Sequence, residues 1–195
     1  MKDLHELPGD LPIPEDDGAC DHLLGLRIPP IALKSTSSEI TDLSSIEGVA
    51  VVFFYPMNGK PDAPPMIGWN DIPGARGCTP QVCSFRDDYP KLEKLGVKVF
   101  GISSQPLGDQ KEASDRLNLQ FNLLNDSQLE LAKAMKLPTF EYKGSTYIKR
   151  LTVIIEDGVV KKTYYPVFPP DKNVGEVVSW IEHNNKLQPT SFVGG

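Results

Sequence analysis

Cysteine is scarce in this chain, three residues in 195. That is too few for a disulfide scaffold, and it points to a reducing, intracellular setting where a close cysteine pair is more often catalytic or metal-binding than structural. Histidine is equally scarce, with His5, His22 and His183 far apart in sequence. There is no long basic stripe; the net charge is −6 and the pI about 5.1, so nucleic acid is a poor expectation as partner. No segment approaches the ~20 apolar residues of a membrane span. The first residues, Met1-Lys2-Asp3-Leu4-His5-Glu6, run into acidic and proline-rich sequence rather than a secretory signal pattern. What remains is ordinary: 39% hydrophobic and 24% charged residues, in a length that suits one domain with a real core. The expectation is a cytoplasmic globular protein.

The chain divides into an irregular arm over residues 1–24, a domain over 25–187 and a flexible tail over 188–195. The arm ends in Cys20 and His22. A Cys-x-His pair could ligate metal, but a tetrahedral site needs more ligands and the other histidines are remote. Residues 25–47 read as a short hairpin. Val49-Ala50-Val51-Val52-Phe53-Phe54 then fits a strand buried on both faces, ended by Pro56. From Gly59 to Gly77 prolines and glycines crowd a long inserted loop, a length that in a compact domain is often functional. Helix-like sequence follows from about Thr79 to Leu95, with Pro80 suited to its first turn and Pro90 predicting a kink or an early break. A strand is predicted over 97–103, a helix over 108–118, a strand near 121–124 and a helix over 127–136 capped by Asn125-Asp126-Ser127. Tyr147–Ile155 reads as one strand, returned by Val159–Tyr165 across the Asp157-Gly158 turn. Asp171 can cap a last helix to about Asn185. Strands alternating with helices predict an α/β sandwich.

The chemistry centres on Gly77-Cys78-Thr79-Pro80-Gln81-Val82-Cys83, where a loop meets a helix N-terminus. Backbone N–H groups and the helix dipole there favour a thiolate, the nucleophilic form. A zinc site lacks a second cysteine pair, haem attachment lacks Cys-x-x-Cys-His, and a thioredoxin-type oxidoreductase lacks Cys-x-x-Cys. Two merely packed thiols are the plain alternative. Were both cysteines on one helix, five residues would separate their Cα atoms by roughly 8–9 Å. A disulfide wants about 4.4–6.8 Å, so the pair could close only if the first turn unwinds.

Five stretches in order carry a family resemblance: Phe53-Phe54-Tyr55-Pro56; Gly77-Cys78-Thr79-Pro80-Gln81-Val82-Cys83-Ser84-Phe85-Arg86-Asp87; Val99-Phe100-Gly101-Ile102-Ser103; Leu124-Asn125-Asp126; and Lys149-Arg150-Leu151-Thr152 through Gly158. The chain resembles the peroxiredoxins of Q type, also called the bacterioferritin-comigratory-protein type, over about residues 25–185. The resemblance implies a thioredoxin-like fold with peroxiredoxin additions, a central mixed sheet flanked by helices with an N-terminal hairpin. It implies a thiol peroxidase acting on hydrogen peroxide or organic hydroperoxides, without metal or other cofactor, recycled by a thioredoxin- or glutaredoxin-type donor, as monomer or homodimer. Cys78 would be the peroxidatic cysteine, Cys83 the resolving one, and Arg150 the site arginine that favours thiolate and stabilises peroxide oxygens. Pro56 would shield the cysteine, beside Tyr55. The family's hydroxyl residue, three before the cysteine, is replaced by Ala75, with Arg76 a candidate substitute donor. A non-enzymatic thioredoxin-fold redox sensor or binding module, gated by a Cys78–Cys83 disulfide, is the alternative. A thiol–disulfide oxidoreductase is a third reading, weakened by Arg150-Leu151 standing where thioredoxins place a proline.

Overall fold

A computed structural model of the chain describes residues 6–63 and 66–185. The predicted tail over 188–195 lies outside the described residues. The most apolar run forms the most buried strand: β3, Val49–Phe54, has every residue from Ala50 onward buried. Its pleat sends Ala50, Val52 and Phe54 into one core and Val51 and Phe53, followed by Tyr55, into another. Fully burying side chains of this size contributes about 1.5–3 kcal/mol each, which fixes β3 at the centre and fixes its register.

Around it stand β1 (Ala32–Ser35), β2 (Ile40–Asp42), β4 (Lys98–Ser103), β5 (Asn122–Asn125), β8 (Leu151–Glu156) and β9 (Val159–Tyr164). The sheet order is β2-β1-β5-β4-β3-β8-β9, with β3, β4 and β5 parallel and the flanking pairs antiparallel. This is the mixed sheet expected from sequence, with the N-terminal hairpin at one edge and the Asp157-Gly158 hairpin at the other. Helices α1 (Cys78–Lys94) and α4 (Asn173–Asn185) bury their apolar sides in the Val51/Phe53 core. Helix α3 (Glu130–Ala134) and the short 3-10 turn Asp21–Leu23 cover the opposite face. Helix α2 (Leu107–Leu117) packs beside β5.

Gly101 is a packing requirement. It pairs with Phe53 across β3 and β4, and a Cβ there would lie 2.6 Å from Phe53 Cζ and 2.7 Å from Leu123 Cδ2. The space goes to Phe53, whose ring stacks on Phe85 of α1 at 4.5 Å between centroids. The sheet face and the helix that begins at Cys78 are thereby locked together.

Several expectations are corrected. Tyr147–Ile155 is not one strand. It splits into β7 (Ser145–Ile148) and β8, with Lys149 and Arg150 in neither. Strand β7 belongs to a separate two-stranded sheet with β6 (Thr139–Tyr142), which the sequence reading left out. Its turn is made by Lys143 and Gly144, both at positive φ, a weaker signal than Asp-Gly. The helix predicted over 127–136 shrinks to one turn because Leu129 is left-handed and the Asp126 carboxylate accepts from the N–H groups of Leu131 and Ala132. Pro90 does not break α1, which runs on to Lys94; the lost N–H bond falls near its last turns. Asp171 stands two residues ahead of α4 and meets Lys172 at 3.3 Å rather than starting the helix.

The 59–77 loop is anchored. Trp69, only 6% exposed, sits among Phe140, Tyr142 and Tyr147 at centroid distances of 5.7, 5.1 and 5.1 Å. A two-stranded hairpin is marginal alone, and this tryptophan gives it an apolar partner.

Candidate active site

Helix α1 starts at Cys78 because of what precedes it. Gly77 has φ 107°, a conformation that side chains resist, and a Cβ there would meet Pro170 Cγ at 2.5 Å and Leu7 Cδ2 at 2.9 Å. The arm and the 165–170 strap therefore pass directly over the helix start. Gln81 N–H closes the first turn on the Gly77 carbonyl at 3.1 Å, and Pro80 has no N–H to satisfy. The N–H groups of Cys78 and Thr79 are left at the open, positive end of the helix beside the sulfur.

Arg150 reaches that sulfur. It is 3% exposed, and its Nη2 donates to Cys78 Sγ at 3.2 Å. The same nitrogen lies 3.2, 3.3 and 3.2 Å from the carbonyls of Gly74, Ala75 and Arg76, and Nη1 donates to Gln81 Oε1. The break between β7 and β8 is what frees Arg150 from a strand and points it here. One guanidinium thus ties the end of the long loop, the first turn of α1 and the cysteine together. Sγ thus accepts from Arg150 and itself lies 3.6 Å from the Ala75 carbonyl, to which the thiol donates.

Tyr55 and Pro56 lie at the C-terminal end of β3. The Pro56 carbonyl accepts from Ser103 Oγ at 2.7 Å, and Asn58 and Gln105 exchange two hydrogen bonds at 3.0 Å each. These bonds hold the turn after β3 rigid. Tyr55 is fully buried in the same core as Cys78. Burial, and then charge on Cys78, push its hydroxyl well above the ordinary tyrosine range, so it stays protonated. Ala75 is completely buried and presents only a methyl and its carbonyl. The Arg76 guanidinium reaches the Glu6 carbonyl of the arm at 3.4 Å, and the Arg76 contribution at the site is its main-chain carbonyl.

Cys83 lies further along α1, 8% exposed, in the same core as Cys78. Burial pushes its thiol up. Of the three cysteines, all among the described residues, none is in a disulfide. Cys20 is buried in the other core, across the sheet, and burial followed by the neighbouring Asp17, Asp16 and Asp21 charges pushes its thiol to about 12. His22 Nε2 is 2.8 Å from the Met135 carbonyl.

Gln81 is the site residue that sequence reasoning missed. Its place three residues after Cys78, on one face of the same helix, was the available signal. Gln105 and Asn58 were missed because their pairing spans 47 positions. Among the described residues no group of His, Cys, Asp and Glu could hold a metal ion, and no helix is long and apolar enough to cross a membrane.

The Redoxin family model matches residues 24–178. A chloroplastic peroxiredoxin Q of Sedum lineare is 30% identical over 159 residues, covering 81% of this chain and 77% of that protein. A chloroplastic peroxiredoxin Q of Oryza sativa subsp. japonica is 30% identical over the same length, covering 81% of this chain and 66% of the rice protein, just under two thirds of it. Among solved structures, the peroxidoxin BcpB of Mycobacterium tuberculosis superimposes with a TM-score of 0.67 at 22% identity, over 82% of this chain and 96% of that one. That likeness establishes the thioredoxin-like fold of the peroxiredoxins for this chain.

Proposed function

The chain belongs to the Redoxin family, among the proteins of peroxiredoxin Q type, and from that membership and the surroundings of Cys78 we propose that it is a thiol-dependent peroxidase. The observation that carries this reading is Arg150 Nη2 at 3.2 Å from Cys78 Sγ, at the open end of a helix. The Cys78 thiolate attacks the distal oxygen of a hydroperoxide. The O–O bond breaks, the sulfur is oxidised by two electrons to sulfenic acid, and water or an alcohol leaves after taking one proton. Arg150 and the N–H groups of Cys78 and Thr79 stabilise the charge moving onto the peroxide oxygens. Cys83 then condenses with the sulfenic acid, releasing water and forming a disulfide. Both cysteines lie in one core, whereas Cys20 is on the other side of the sheet, which supports Cys83 as the resolving partner; because both sit on α1, the disulfide requires its first turn to unwind. A dithiol donor of thioredoxin or glutaredoxin type restores the two thiols. Tyr55 and Pro56 support the substrate pocket, and Arg76 acts through its carbonyl and its hold on the arm.

The low cysteine count supports a reducing compartment, and cytoplasm is our reading, alongside relatives named as chloroplastic. The domain runs over 25–187 with the arm and the 59–77 loop as additions, and the working unit is a monomer or homodimer. The buried methyl of Ala75, in place of a hydroxyl donor, is the one feature favouring the second reading, a redox sensor gated by the Cys78–Cys83 disulfide. Peroxide consumption coupled to a thioredoxin and its reductase separates the two. Sustained turnover that vanishes in Cys78→Ser supports the peroxidase, and a single oxidation without turnover under either donor supports the sensor.

A further inference from the structure

We propose that the N-terminal arm is a redox-released clamp: it holds the turn that carries Cys78 in its helical form, slows closure of the Cys78–Cys83 disulfide, and undocks when that disulfide forms. Three arm residues sit on three of the four positions just before α1. Pro14 packs on Gly74, where an added Cβ would lie 3.7 and 3.8 Å from the proline Cβ and Cγ. The Glu6 carbonyl accepts from the Arg76 guanidinium at 3.4 Å. Leu7 lies over Gly77, its Cδ2 2.9 Å from the place a Cβ would take. The carbonyls of the same segment, Gly74 through Arg76, hold Arg150 Nη2. The arm also reaches the neighbour of that arginine, since Asp17 pairs with Lys149 at 3.1 Å.

One end of the arm is fixed. Cys20 and Leu23 are buried in the core on the opposite face of the sheet, and His22 Nε2 lies 2.8 Å from the Met135 carbonyl. From Glu6 to Asp17 the arm forms no helix or strand, and Ile13 is 70% exposed. A segment tethered at one end and held by a few half-buried contacts undocks without unfolding the domain. The arm precedes residues 24–178, the span of the family model, so the clamp lies outside the pattern this chain shares with its relatives. Closing the disulfide draws Cys78 along α1 toward Cys83, and Gly77 and Arg76 move with it, away from Leu7 and Glu6. Contacts that favour the wound turn therefore oppose closure, and by linkage closure weakens arm docking by the same factor. Meanwhile the Cys78 sulfenic acid has two fates. Condensation with the Cys83 thiol releases water and forms the disulfide. Alternatively a second hydroperoxide transfers an oxygen: its O–O bond breaks, the sulfur is oxidised by two more electrons to sulfinic acid, and water or an alcohol leaves. A clamp that delays the first fate raises the yield of the second when peroxide is abundant.

This inference rests on the reading of Cys83 as the resolving partner. Its test follows the reduced full chain and the Leu7→Ala/Pro14→Ala double variant after mixing with hydrogen peroxide, by rapid quench and mass mapping of the cysteines. In the variant, oxidation of Cys78 is expected to stay within about twofold of native, while disulfide closure becomes about fivefold faster and half-conversion to sulfinic acid needs about fivefold more peroxide. A second readout needs no variant. Diamide, which takes up the two protons and two electrons of a dithiol, converts the native chain to its disulfide form. Cleavage at Glu6 and Glu15 by a glutamyl endopeptidase is expected to be about fivefold faster in that form than in the reduced one. Unchanged closure in the variant, or equal cleavage of the two redox forms, overturns the clamp while leaving the peroxidase standing. If Cys78 reacts with peroxide no faster than a free thiol, the peroxidase reading falls, and cleavage of the diamide-oxidised chain still decides the clamp. A disulfide mapped to Cys20 removes both the resolving assignment and the clamp.

Discussion

Arg150 bridges Cys78, Gln81 and the end of the long loop. Replacing it by Gln keeps polar atoms near the Gly74–Arg76 carbonyls but removes the cation beside Sγ. The second-order rate of Cys78 with hydrogen peroxide is expected to fall about 10²–10³-fold, measured by stopped-flow. A fall of less than about threefold would mean that the guanidinium is only a loop clamp. Ala75 makes the opposite prediction. It is buried at the site with no hydroxyl, so Ala75→Ser adds one donor within a small volume. An added hydrogen bond to a developing charge is expected to raise the peroxide rate about tenfold. No gain would show that the carbonyl-lined pocket cannot use such a donor. Both residues were legible in the sequence, Arg150 and Ala75 by their places in a motif. What the sequence did not carry was the company Arg150 keeps. Gln81 and three backbone carbonyls converge on it from about 70 positions away, and no local pattern encodes such a meeting.

The elements that build the site differ in how well they could be read. β3 and α1 follow from apolar runs and helical spacing, where periodicity is a strong signal. The β6–β7 hairpin does not. Thr139–Tyr142 and Ser145–Ile148 are short and half-buried, and their stability comes from Trp69 of a loop 70 positions earlier. Breaking Tyr147–Ile155 into two strands is a tertiary outcome: the Pro138 carbonyl takes the Lys149 N–H at 2.8 Å, and the chain passes from one sheet to the other there. Trp69→Ala should therefore speed amide exchange across 139–148 and around 74–76 while leaving β3 and β4 protected, as read by hydrogen–deuterium exchange. Uniform protection loss would instead make the hairpin part of the main cooperative unit. At the sheet centre, Gly101→Ala inserts a methyl against Phe53 and Leu123. The expected loss is about 1–3 kcal/mol in urea unfolding, with the Phe53–Phe85 stack the first contact to shift.

At the scale of the whole molecule, the sheet divides the cysteines, with Cys78 and Cys83 on one face and Cys20 on the other. Global stability should report this division through pH. Burial raises the Cys20 thiol to about 12 and also raises Cys83, so the folded state holds these protons more tightly than the unfolded chain does. Their contribution is fully present below the unfolded thiol range, near pH 8.5, and is lost as pH climbs toward the folded values. Stability should fall above about pH 8.5, and by pH 10 Cys20 alone accounts for about 2 kcal/mol of that fall. Cys20→Val should lose less between pH 8 and pH 10 by urea midpoint; an equal loss would mean that Cys20 ionises normally in the fold. The fold class was legible in the sequence, from the alternation of strands and helices and, for the central mixed sheet, from the family resemblance; the order of the seven strands was not. The packing of the arm over Gly77 and the anchoring of the loop were not, because both depend on contacts between distant segments, such as Leu7 and Pro170 meeting above one glycine.

Cys78 as the peroxidatic thiol and Cys83 as its resolving partner can be checked in one reaction. The reduced protein is mixed with one equivalent of hydrogen peroxide, followed by stopped-flow, and its cysteines are mapped by mass. The expected result is rapid loss of two thiols, a Cys78–Cys83 disulfide, a persistent sulfenic acid on Cys78 in Cys83→Ser, and no fast reaction in Cys78→Ser. A Cys78 that reacts no faster than a free thiol, or a disulfide that forms through Cys20, would contradict it.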